Sequence, residues 1–72
     1  MIYHHYIYMN ILITGSSGFL GQALSKKLVK LDHTVIPYDL ADGKDICDKE
    51  QFYKTVKESG ATVVIHLAAI AD

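Results

Sequence analysis

The chain has 72 residues, half of them apolar and 21% charged, and carries a net charge of −1. That balance describes one small globular domain rather than a disordered chain, and folding at this length buries only about 60% of the unfolded surface. All seven basic residues are lysines and they form no basic stripe, so neither nucleic acid nor an anionic membrane surface is an expected partner.

The opening MIYHHYIYM, residues 1–9, reads as a poorly ordered N-terminal extension ahead of a domain at 10–72. It is shorter than the ~20 apolar residues that span a bilayer. It also lacks the basic region and small-residue cleavage site of a signal peptide. His4 and His5 are metal-ligand types, but two adjacent histidines without a third ligand make no site, and no metal is expected. Met9 stands directly before NILITG and is a candidate start, with residues 1–8 as an upstream extension. The single cysteine, Cys47, excludes an internal disulfide and fits a reducing, cytoplasmic setting.

Asn10 to Thr14 predicts a strand whose non-alternating ILIT run suits burial on both faces, as in a parallel sheet. Phe19 to Leu31 predicts a helix with Leu20, Leu24, Leu28 and Leu31 on one stripe and Lys26, Lys27 and Lys30 near its C-terminus. HTVIPYD is a second strand, with Pro37 leaving one side unpaired. LADGKDICD reads as loop, with at most a very short strand near Asp45 to Cys47. Asp48 then caps a helix that runs to about Ser59, with Gln51 at the capping-box position, Phe52 and Val56 as its buried pair, and Gly60 as its stop. TVVIHLAAI is a third, wholly apolar strand. Strands alternating with helices predict an α/β fold with a parallel sheet. The first strand is expected between the other two, which leaves the third as an exposed edge.

The informative junction is Gly15, Ser16, Ser17, Gly18, Phe19, Leu20, Gly21. A helix N-terminus presents unsatisfied N–H groups and partial positive charge, which attract a phosphate. Gly15 permits the tight turn out of the strand, Gly18 lets a diphosphate approach the backbone, and Gly21 lets the helix pack closely. Ser16 and Ser17 add hydroxyl donors. Three spaced glycines alone are a weak signal. The preceding strand, the amphipathic helix, and Asp39 at the end of the next strand strengthen it. A carboxylate at Asp39 accepts both hydroxyls of an adenosine ribose and repels a 2′-phosphate. With no arginine in the chain, this favours NAD over NADP. No Gly-Lys-Ser/Thr follows, which excludes a triphosphate P-loop.

At these residues a family resemblance emerges. TGSSGFLG resembles the Thr-Gly-x-x-Gly-x-x-Gly signature of extended short-chain dehydrogenases/reductases, the NAD-dependent epimerase/dehydratases. DICD resembles that family's Asp-apolar segment at the adenine, and VIHLAA its His-x-Ala-Ala strand end. The resemblance implies the N-terminal half of a Rossmann-like fold. In it the glycine loop holds the diphosphate, with Phe19 and Leu20 opening the helix beneath. Asp39 holds the ribose, Asp45 and the Ile46 backbone meet the adenine, and Leu67, Ala68 and Ala69 pack along the middle of the cofactor. Where the family usually opens the last strand with Asp or Glu, this chain has Thr62. Without the resemblance, Asp45 is equally a turn cap, His66 a satisfied core residue, and Cys47 a small packed hydrophobe.

The same resemblance implies a homodimeric parent acting on a nucleotide sugar, with a catalytic Tyr-x-x-x-Lys and a Ser or Thr downstream of these residues. Tyr53 and Lys57 match that spacing literally but lie on the helix of the adenosine half, so no catalytic residue is assigned. Tyr53 reads as partly buried and Lys57 as solvated. The chain is accordingly expected to be an N-terminal segment that binds a dinucleotide weakly, if at all, and turns nothing over alone. The alternatives are a fragment of an NADP-linked reductase and a non-catalytic NAD-binding sensor or scaffold.

Overall fold

The computed structural model describes residues 8–68. His4, His5 and the expected cofactor contact Ala69 lie outside them. The elements in chain order are β1 (Asn10–Thr14), α1 (Phe19–Lys30), β2 (Thr34–Tyr38), a single 3₁₀ turn at Leu40–Asp42, α2 (Lys49–Ser59) and β3 (Val63–His66). The sheet order is β2-β1-β3. β1 runs parallel to both neighbours, with Ile11 opposite Val35 on one side and Val63 on the other. This is the α/β architecture of a partial Rossmann-like fold, with the first strand in the middle as its apolar run predicts.

Ile11, Leu12, Ile13 and Thr14 are each at most 2% exposed, and with Tyr38 they form the core. The sheet begins one residue before β1, because Thr34 N–H donates to the Met9 carbonyl and Met9 N–H donates to His33 Nδ1. α1 ends in a Schellman arrangement: His33 N–H donates to Leu28 O, Asp32 N–H donates to Val29 O, and Asp32 takes a left-handed φ of 68°. Gly60 closes α2 with the same handedness, φ 70°.

Several expectations are corrected. The stretch at Asp45 to Cys47 is loop, as expected, without the short strand allowed there: Asp45 Oδ1 accepts the Cys47 N–H at 2.9 Å and bends the chain into a turn. Of the expected strand at 62–70, residues 69 and 70 lie outside the described residues; within them β3 covers Val63–His66, after which Leu67 N–H is shared between the Thr14 carbonyl and hydroxyl and Ala68 N–H goes to the hydroxyl. The capping box of α2 is half formed. Asp48 Oδ1 accepts from Gln51 N–H, but the Gln51 side chain lies 3.4 Å from the Tyr38 hydroxyl instead of reaching back. Phe52 packs edge-on to Tyr38, ring centres 5.2 Å apart, yet Phe52 and Val56 are only half-buried. Tyr53 is 70% exposed rather than partly buried, since it lies about 100° around the helix from Phe52. Lys57 is exposed, and so is Cys47, which does not pack as a hydrophobe. In the stripe of α1, Leu24 and Leu28 are half-buried while Leu20 and Leu31 stay exposed. Among the described residues no helix is long and apolar enough to cross a membrane.

Candidate functional site: a glycine corner between β1 and α1

Two of the three glycines are required by the fold itself. Gly15 has φ +71°, and a Cβ there would sit 2.9 Å from the Ala68 nitrogen and 3.1 Å from the Leu67 carbonyl carbon. Both the turn and the end of β3 therefore exclude a side chain. Gly21 is buried in the first turn of α1, and its Cβ would run into the Gly15 carbonyl oxygen and approach Ser16 Cα to 2.7 Å. The close packing it permits is thus against the loop at the end of β1, more local than the helix-on-sheet contact expected.

Gly18 differs. Its backbone is ordinary (φ −70°, ψ 170°), and a Cβ would meet only the Gly15 carbonyl oxygen, at 3.4 Å. That is a normal contact, so the protein itself gives Gly18 no reason to lack a side chain. Gly18 is also the N-cap of α1, without a side-chain cap and with no acidic residue in the first turn. The first intrahelical bond is Gln22 N–H to Gly18 O, so the amides of Phe19 and Leu20 precede it and have no acceptor in the helix. Phe19 is 92% exposed and Leu20 67%, and Leu20 borders an apolar hollow of about 320 Å³ whose other lining residues are Ala23, Leu24, Lys27 and Leu67. An uncapped helix start of this kind suits an anion, with the dipole and the free donors acting together.

Asp39 stands across the corner at the end of β2, 8% exposed. Its Oδ2 accepts the Ser17 N–H and its Oδ1 the Ala41 N–H, both at 2.9 Å. Its carbonyl accepts from Asp42 and Lys44, which folds the following loop back on it. The Ala41 amide, then the Ser17 amide and side chain, hold its carboxyl below the ordinary aspartate value. A folded pKa below the unfolded one adds stability at pH values above the unfolded pKa, and that contribution is lost as pH falls through the lower folded value.

The other expected contacts are distributed around this centre. Ser16 is half-buried and Ser17 exposed. Ala68 is half-buried and Leu67 36% exposed, both against Gly15. Ile46 is half-buried, and the Asp45 carboxylate serves the Cys47 turn while its carbonyl lies 3.4 Å from the Tyr38 hydroxyl. The structure brings the glycines, Ser17, Asp39, Leu67 and Ala68 together. It leaves Asp45 and Ile46 on the loop that follows Asp39.

Residues 9–72 match the family described as RmlD substrate binding domain. The chain belongs to that family. Protein CapI of Staphylococcus aureus is 42% identical over 55 residues, which is 75% of this chain and 16% of that protein. The chain thus spans about a sixth of the length of this relative. No solved structure matches the chain significantly.

Sequence reasoning missed Thr14 within this RmlD-family corner. Its fully buried hydroxyl accepts from Leu67 N–H at 3.0 Å and Ala68 N–H at 3.2 Å, and it lies 2.9 Å from His66 Nδ1. With both lone pairs taken, the hydroxyl proton goes to Nδ1, which puts the neutral ring's own proton on Nε2. His66 is therefore hydrogen-bonded but exposed, not a core residue. The available signal was a hydroxyl ending a buried apolar run, because such a group needs partners. Thr14→Val should lower stability in urea denaturation by about 1 kcal/mol, since it strands the Ala68 amide while Leu67 N–H keeps the Thr14 carbonyl at 3.2 Å, whereas Thr14→Ser should stay close to wild type.

Proposed function

We propose that the chain is the NAD-binding N-terminal part of an extended short-chain dehydrogenase/reductase, an epimerase or dehydratase of nucleotide sugars. One observation carries this reading. Gly18 lacks a side chain that its own fold would accept, at the N-cap of α1 immediately ahead of the Phe19 and Leu20 amides. An incoming diphosphate supplies the missing reason.

In this reading the Phe19 and Leu20 amides hold the diphosphate. Asp39 spends one lone pair of each oxygen on a backbone amide and offers the others to the ribose hydroxyls. Asp45 and Ile46 flank the adenine. Leu67 and Ala68, with Ala69 beyond the described residues, line the middle of the cofactor. NAD supplies a hydride acceptor, and this chain's residues bind and orient it. No catalytic group is assigned. Tyr53 and Lys57 sit exposed on α2, and the Tyr53 ring rests against Phe52 rather than over the corner.

Calorimetric titration of the chain with NAD and with NADP tests the ribose assignment. NAD should bind at least about tenfold more tightly, because a 2′-phosphate would face the Asp39 carboxylate. Equal affinities would remove Asp39 from the ribose.

A further inference from the structure

Beyond holding a ribose, we infer that Asp39 is a positioning residue that sets the conformation of the glycine loop. A carboxylate needed only to cap the turn after β2 would use the Ala41 amide alone. Here the second oxygen crosses to Ser17, 22 positions away in sequence, and takes that amide at the same 2.9 Å. Asp39 itself is 8% exposed, while its two donor residues Ser17 and Ala41 are exposed, so the acceptor oxygens are the sheltered half of each bond.

The loop has few other anchors. Gly15 N–H donates to the Tyr38 carbonyl at its start, Gly18 N–H donates to Gly15 O, and the Gln22 side chain donates to the Ser17 carbonyl. Of these, only the Gly15 bond reaches β2. The Asp39 bridge is the second tie to that strand, placed in the middle of the loop just ahead of Gly18. The group proposed to receive the ribose is then also the group that aims the amides proposed to receive the diphosphate. Neither close substitute preserves this. Asparagine has one acceptor oxygen and must turn an NH₂ toward one of the two donors. Glutamate keeps the charge but sets the carboxylate one methylene further out.

The functional consequence rests on the dinucleotide reading, whereas the bridge itself does not, and amide hydrogen exchange on the full chain at neutral pH separates the two. In Asp39→Asn, at least one of the Ser17 and Ala41 amides should exchange about tenfold faster or more, the scale of losing a hydrogen bond to a charged acceptor, while the amides of Ile11–Ile13 keep their wild-type rates. Asp39→Glu should also speed Ser17, with the charge retained, and should weaken NAD binding by about tenfold. Wild-type protection of Ser17 in Asp39→Glu, or of both Ser17 and Ala41 in Asp39→Asn, overturns the inference. So does an equal acceleration at Ser17 and the core amides, which would make Asp39 a contributor to global stability alone. If wild-type chain binds no NAD, the dinucleotide reading fails and Ser17 exchange still decides the bridge.

Discussion

Replacing Gly21 with alanine is expected to remove more than half of the fold's stability. The added methyl would meet the Gly15 carbonyl oxygen and lie 2.7 Å from Ser16 Cα and 2.9 Å from the Ser16 carbonyl carbon. All three are backbone atoms of the loop, so no side chain can rotate away. Relief requires moving α1 off the end of β1, which breaks the one helix–strand junction that buries Gly21. Overpacking of this kind costs about 3 kcal/mol or more. A chain of this size has a total stability on the order of 5 kcal/mol. Circular dichroism during urea titration should show the Gly21→Ala midpoint lowered by about half or more. A midpoint equal to wild type would mean the corner is looser than described.

Gly18→Ala should do the reverse. Its Cβ has room, with one ordinary contact at 3.4 Å, and its φ of −70° suits alanine. Alanine restricts the unfolded chain, which stabilises, but is a poorer N-cap than glycine, which destabilises. The two effects oppose, so stability should stay within about 1 kcal/mol of wild type. NAD affinity should fall by about tenfold or more, because the methyl stands where the diphosphate must approach. Fluorescence or calorimetric titration beside a urea melt measures both. A folded Gly18→Ala chain that binds NAD as wild type does would leave Gly18 without a ligand-based explanation. The contrast between the two glycines, one needed by the fold and one not, carries more information than either result alone.

These two residues also show what the sequence could and could not reveal. Their spacing after an apolar run and before an amphipathic helix is a local pattern, and local patterns located β1, α1, the order of the elements, and the corner itself. The reason for each glycine is not local. Gly15 is constrained by Ala68 and Leu67, which the chain reaches only after two helices and two strands. Thr14 was passed over because its partners lie 53 and 54 positions away. The bridge from Asp39 to Ser17 spans 22 positions and leaves no periodic trace. At Asp32 the left-handed helix stop is made by a residue other than glycine, so the usual marker is missing. Tyr53 and Cys47 were misjudged for a related reason. Apolar and aromatic character predicts burial only where an element has cover on that side, and α2 presents one half-buried face to Tyr38 and no fully buried residue.

The most direct measurement is an amide NMR titration of the chain with NAD up to about 10 mM, a range that detects weak binding. The account predicts that the largest shifts fall on the Phe19 and Leu20 amides, with Ser17 and Ala41 following as the ribose engages Asp39. Saturable shifts centred elsewhere on the chain, or none at Phe19 and Leu20, would contradict it.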